Sequence, residues 1–197
     1  MSVPHLLEGF SWEESFQLFV RLLVIINVFG IIPFIIRAKK ETGKVNPWRT
    51  TITGFILSLT FLFIGKYILA VNGVSIVTFK AAGGIILLTI GIEMVFDLTI
   101  NKMTIEGGKD PSVTPLAFPL TIGAGTLTSL VSFREEYMFT NVFLALLGNI
   151  FVIYLVFSYV EKIQKILGPL VLSVLQRLMG VLLMSFGIQA LKNGFFS

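Results

Sequence analysis

The sequence predicts an all-α membrane protein of six transmembrane helices, built as a 3+3 inverted-topology repeat with helices 1 and 4 broken near mid-membrane. Three observations carry this reading. Hydrophobic residues make up 55% of the 197 and charged residues only 13%, about half the charge of an average soluble protein. Six apolar stretches reach the roughly 20 residues that a helix needs to cross a hydrocarbon core of about 30 Å. Two punctuated stretches also recur at one constant spacing of 96 residues.

The first stretch runs from about Phe16 to Ile36 and holds Asn27, Gly30 and Pro33. After the polar loop Arg37 to Arg49, the second runs from Trp48 to Val71. An Asn72-Gly73 turn leads into the third, Ile76 to Leu98. A polar connection over 99–114 then precedes the fourth (Pro115 to Phe133), fifth (Met138 to Val160) and sixth (Pro169 to Leu191). The result is one transmembrane domain, 1–197, with repeat 1 at about 12–98 and repeat 2 at about 115–194.

Basic residues near the span ends set orientation. Arg37, Lys39, Lys40, Lys44, Arg49, Lys102, Lys109, Lys162 and Lys165 fall on one side, against Lys66, Lys80, Arg134 and Lys192 on the other. This predicts a multi-pass protein of the cytoplasmic (inner) membrane with both termini outside. Trp12 and Trp48, near opposite ends of span 1, suit interfacial belts. The N-terminal stretch carries Glu8, Glu13 and Glu14 in place of the basic start of a signal peptide.

Composition also excludes chemistry. With no Cys and His5 as the single histidine, thiolate and histidine metal clusters and a Ser–His–Asp triad are ruled out. No nucleotide-binding motif occurs, and the net charge of +4 reflects topology rather than nucleic-acid binding. The sequence therefore reads as a non-enzyme with no cofactor and no metal.

The repeat is read from two places. Gly84 to Glu93 resembles Gly180 to Gln189, with both glycines and the hydroxyl position aligned; the same offset lays Asn27-Val28-Phe29-Gly30 on Gly123-Ala124-Gly125-Thr126. Three spans per half is an odd number, so the second half enters from the opposite side, as in secondary transporters. Close packing through small residues would also place glycines at such intervals. The breaks point toward a ligand. Asn27 can bond backbone locally, Pro33 removes a donor, and Pro115, Pro119, Gly123 and Gly125 permit unwinding in span 4. Backbone freed inside a bilayer must be satisfied by protein, water or ligand. Half-helix starts attract a carboxylate, and freed carbonyls accept from an ammonium.

These segments, with Ala82 to Leu88, Pro115 to Pro119 and the Gly180 stretch, resemble the MarC family of integral membrane proteins over about Phe16 to Phe195. The resemblance implies a transporter of small neutral amino acids, with the substrate held by Asn27, Val28, Phe29 and Gly30 and by Gly123, Ala124, Gly125 and Thr126. Val28 and Ala124 stand where the family pattern usually has proline. Glu93 and Asp97, four apart in span 3, and Arg177 in span 6 are candidates for a gate or coupling group; a structural ion pair is the alternative reading. The expected function is secondary active transport of Gly, Ala or Ser across the membrane by alternating access, coupled to H⁺ or Na⁺. The alternative is a passive channel or exporter for another small solute.

Overall fold

Two short helices occupy the first predicted crossing. In the computed structural model, which describes residues 10–98 and 111–195, α1 (Trp12–Ile26) ends where Asn27 turns left-handed, and α2 (Ile32–Thr42) begins after the five-residue turn 27–31. Fifteen and eleven residues give about 22 and 16 Å, so neither crosses a bilayer alone. Pro33 lies in the first turn of α2, where its missing N–H would have had no intrahelical partner. It therefore starts the second half-helix rather than kinking one rod. His5 and most of the 99–114 connection, Lys102 and Lys109 included, lie outside the described residues.

The helices α3 (Pro47–Val71) and α4 (Ile76–Phe96) follow, capped by Asn46 and Ser75 side chains. A π-wound segment, Ser112–Thr121, is interrupted by extended backbone at Thr114 and Phe118. Ile122 and Gly123 are not helical, and α5 (Ala124–Glu136) begins behind them. The last element, α6 (Phe139–Phe195), is broken at Gly168, whose φ of 70° and ψ of 166° split it into two arms. The sequence placed a polar loop between Val160 and Pro169. The structure instead carries the helix past an irregular Tyr159 (φ −111°, ψ 16°) to Gly168, because Glu161 to Leu167 contains no helix breaker. Among the described residues all regular structure is helical, and three helices (α3, α4 and α6) are long and apolar enough to cross a membrane.

Packing follows a regular plan. The start of α1 runs parallel to the first arm of α6: Ser15 Oγ donates to Asn141, and Gly148 lies under the Phe19 ring. Lys39 reaches Glu161 at 2.9 Å farther along, and this ammonium holds the exposed Glu161 carboxyl below its usual range. Likewise α3 runs parallel to 112–136, through Asn46 N–H to Ser112 Oγ, Gly54 against Ile122, and Lys66 to Glu135 at 2.9 Å. Between these pairs, α4 and the second arm of α6 cross backbone to backbone. A Cβ on Gly84 would sit 2.8 Å from the Gly187 carbonyl oxygen, and one on Gly91 would sit 2.7 Å from that of Gly180. The absence of side chains lets the backbones meet.

Asn141 locks the N-terminal end. Fully buried, it accepts from Ser11 N–H and Ser15 Oγ and donates to Glu14 at 2.7 Å. Asn141→Leu should leave Ser11 N–H and the Glu14 carboxylate without this partner, while Ser15 Oγ keeps the Ser11 carbonyl at 2.9 Å, and cost about 2 kcal/mol. The expected readout is an apparent Tm in detergent lowered by about 4–8 °C.

Candidate functional site: two helix breaks and a cavity

The left-handed turn at Asn27 follows from its sequence. Asparagine tolerates φ of +54° better than a branched residue would, and its N–H closes α1 on the Leu23 carbonyl. Past that point the turn uses shorter bonds, Gly30 N–H to Asn27 O and Ile32 N–H to Phe29 O. The last carbonyls of α1 therefore lack the usual donors of a continued helix. Gly30 is required by crowding. A Cβ there would meet the Met94 methyl, and would lie 2.6 Å from both terminal atoms of the Asn27 amide.

The Asn27 side chain is 3% exposed. Its Nδ2 lies 2.7 Å from Met94 Sδ, and its Oδ1 has no hydrogen-bond partner. A thioether is a weak acceptor, so this amide is poorly satisfied on one side and unsatisfied on the other. A buried acceptor left so costs about 1–3 kcal/mol, a cost that a ligand with a strong donor would remove.

The second break presents the opposite end of a helix. Gly123 is extended and supplies no capping side chain. The first helical bond of α5 is Leu127 N–H to Gly123 O, which leaves the N–H groups of Ala124, Gly125 and Thr126 without an intrahelical acceptor. The C-terminal end of α1 thus carries partial negative charge and the N-terminal end of α5 partial positive charge.

Both ends approach one cavity of about 330 Å³. Ile25 of α1, Gly125 of α5 and Leu87 of α4 lie along it, and Thr128, Ser129 and Ser132 line it from α5. Its charged lining includes Arg21, whose Nη1 donates to Tyr137 Oη at 2.8 Å, and the Lys80–Glu136 pair at 2.6 Å. Glu13 and Glu14, the acids nearest Arg21 in the sequence, accept from Gln17 and Asn141.

Of the eight residues the sequence singled out, Gly125 lines the cavity. Asn27 and Gly30 lie behind Met94, Val28 is fully buried in the core, and Phe29 packs against that core. Gly123 caps α5, Ala124 opens it, and Thr126 is buried. Glu93 is half-buried and Asp97 ends α4 in a left-handed turn. Arg177 is exposed, and no ion pair joins it to either acid among the described residues. The sequence reading did not single out Leu87, Met94 or the hydroxyl face of α5. That face does carry a signal, since Gly125, Thr128, Ser129 and Ser132 recur at helical spacing in an otherwise apolar span. Leu87 covers Gly125, with a Cδ only 2.6 Å from where a Cβ would stand. Leu87→Ala should deepen the cavity toward the α5 N-terminus. A cysteine at Thr126 in this background should react several-fold faster with a small water-soluble maleimide than the same cysteine beside Leu87.

Comparisons with known proteins agree on one family. A family model described as MarC family integral membrane protein matches residues 12–196. A membrane protein of Buchnera aphidicola (subsp. Schizaphis graminum) is 32% identical, over 94% of this chain and 93% of its own length. The inner membrane protein YhgN of Escherichia coli K12 is 31% identical over 92% and 96%. A membrane protein of Methanocaldococcus jannaschii is 31% identical over 89% and 93%. No solved structure matches.

Proposed function

The chain belongs to the MarC family of integral membrane proteins, and from that premise we propose that it is a secondary active transporter of small neutral amino acids working by alternating access. The observation that carries the reading is the pairing of opposite helix ends beside one cavity. The α5 N-terminus, whose Ala124, Gly125 and Thr126 N–H groups have no acceptor within the helix, suits a carboxylate. The α1 C-terminus, with the unpartnered Asn27 Oδ1, suits an ammonium. A zwitterion satisfies both ends without any net charge entering the membrane. Leu87 over Gly125 and Met94 over Gly30 leave room only for a small side chain.

The six-span inverted repeat is part of this proposal, and the contacts support it. Shifting each residue by 96 turns the Gly84–Gly187 contact into the Gly180–Gly91 contact. The same shift carries Lys39–Glu161 to within one residue of Glu135–Lys66, and Ser15–Asn141 to within one residue of Ser112–Asn46. Contacts exchanged in this way are what a two-fold axis relating the halves would produce. The two arms of α6 then serve as spans 5 and 6. We place the protein in the cytoplasmic membrane with both termini outside, so that the cavity faces outward.

The test is uptake of labelled glycine or alanine into proteoliposomes, with pH and sodium gradients imposed separately. Gradient-driven accumulation and counterflow are expected. Flux without counterflow would instead identify a passive pore for small solutes, and no flux under any gradient would remove the transport reading.

A further inference from the structure

The cavity has an image. On the repeat reading proposed above, each lining residue has a counterpart 96 positions away; those of the α6 and α5 lining fall at the far end of α4 and in α2 with the turn before it. Gly125, Thr128 and Ser132 correspond to Phe29, Ile32 and Ile36; Gln189, Ala190 and Asn193 correspond to Glu93, Met94 and Asp97. At Gly125, Thr128, Ser132 and Ala190 small or hydroxylated residues line the open cavity, and at their counterparts Phe29, Ile32, Ile36 and Met94 large apolar ones stand instead. Ile32, Ile36 and Met94 belong to the hydrophobic core, and Phe29 packs against it. At the narrowest point the contrast is sharpest. Ala190 lies half-exposed on the cavity wall, while Met94 is 7% exposed and reaches Gly30 and the Asn27 amide.

We propose that the chain contains a second, closed cavity at Phe29, Ile32, Ile36 and Met94, with Glu93 and Asp97 at its mouth, which admits the same class of small zwitterion when the first cavity closes; Met94, in the place of Ala190, keeps it shut. Packing α4 against the second arm of α6 through four glycines gives a joint at which one half can rock on the other. Wetting Thr128 and Ser132 is inexpensive, whereas wetting two isoleucines, a phenylalanine and a methionine is not. The empty protein therefore rests open on the hydroxylated side. Because Asn27 lies behind Met94, a ligand that reaches the unpartnered Asn27 Oδ1 must move the Met94 side chain, and this weakens the seal of the opposite side. This assigns Glu93 and Asp97 a place at an entrance, the counterpart of Gln189 and Asn193.

A sequence without cysteine makes the test direct. Single-cysteine proteins Ser132→Cys and Ile36→Cys, each with and without Met94→Ala, are reconstituted and exposed to a membrane-impermeant maleimide from one face at a time. Ser132→Cys should label from the face bearing the N-terminus. Ile36→Cys should label from the opposite face, more slowly, and Met94→Ala should accelerate it about five- to tenfold while slowing Ser132→Cys. Phe29→Cys serves as a second reporter should Ile36→Cys fail to fold. The second cavity is overturned if neither reporter labels from the opposite face in either background, or if Met94→Ala leaves both rates unchanged. Glycine uptake by the unmodified protein separates the two ideas. Uptake without such labelling removes the second cavity alone, and labelling without uptake removes the substrate assignment alone.

Discussion

Asn27→Gly should leave the protein folded with an undiminished Tm and weaken small amino acid binding roughly 10- to 100-fold. Two physical terms move in opposite directions. The left-handed φ of 54° at position 27 is one that glycine adopts freely, so the α1 terminus is retained. The substitution also deletes a buried Oδ1 that lacks a partner, relieving about 1–3 kcal/mol of desolvation. That gain offsets the lost contact with Met94 and the added flexibility of the unfolded chain. On the binding side, a hydrogen bond from an ammonium is worth about 1.5–3 kcal/mol, and each 1.4 kcal/mol is a factor of about ten.

Asn27→Leu provides the contrast. A leucine forced left-handed costs about 1–2 kcal/mol, and its branched end would press on Gly30 and Met94, so stability and binding should fall together. Isothermal titration with glycine or alanine, read beside thermal melts, distinguishes the two patterns. Unchanged affinity in Asn27→Gly would show that the amide is no ligand, and the ammonium end of the site would have to be sought elsewhere.

The sequence reveals local interruptions better than distant closures. Both breaks were readable, because Asn27, Gly30 and Pro33 in one span and Gly123 with Gly125 in the other contradict helical continuity within a few residues. The restart at Pro169 was readable too, whereas the end of span 5 at Val160 was not, since the helix runs on to Gly168 where a loop was expected. What covers the breaks was not readable. Met94 and Leu87 are ordinary apolar residues of an apolar helix, and only the crossing of α4 places one over Gly30 and the other over Gly125. Arg21 illustrates the same limit. Glu13 and Glu14 are near it in sequence, yet its partner is Tyr137, more than a hundred residues later. The polar anchor Asn141 gave no signal either, because an asparagine at the start of an apolar run is intelligible only once Glu14 and Ser15 are beside it.

The glycines separate structure from function most sharply. Gly91→Val should destabilise the protein by at least about 3 kcal/mol, seen as loss of the monodisperse peak in size-exclusion chromatography. A Cβ there would stand 2.5 Å from Met184 Cγ and 2.7 Å from the Gly180 carbonyl oxygen. Backbone cannot step aside as a side-chain end can, and over-packing typically costs about 1–3 kcal/mol even where some adjustment is possible. Gly180→Val should behave alike, since its Cβ would lie 2.9 Å from the Gly91 carbonyl oxygen. The milder pair Gly91→Ala and Gly180→Ala should be non-additive, because both push the same two backbones apart. Gly125→Ala should differ from all of these. Its nearest obstacles, at 2.6 and 2.9 Å, are atoms of the Leu87 side chain, which can rotate away into the adjoining cavity. That protein should fold and run as a single peak, while the displaced leucine narrows the cavity floor and uptake falls at least about tenfold, a barrier increase near 1.4 kcal/mol. If Gly125→Ala transported normally while Gly91→Val failed to fold, the cavity floor would be structural and the carboxylate would have to bind elsewhere. A folded, transporting Gly91→Val would in turn dismiss the backbone crossing of α4 and α6 as the joint between the halves.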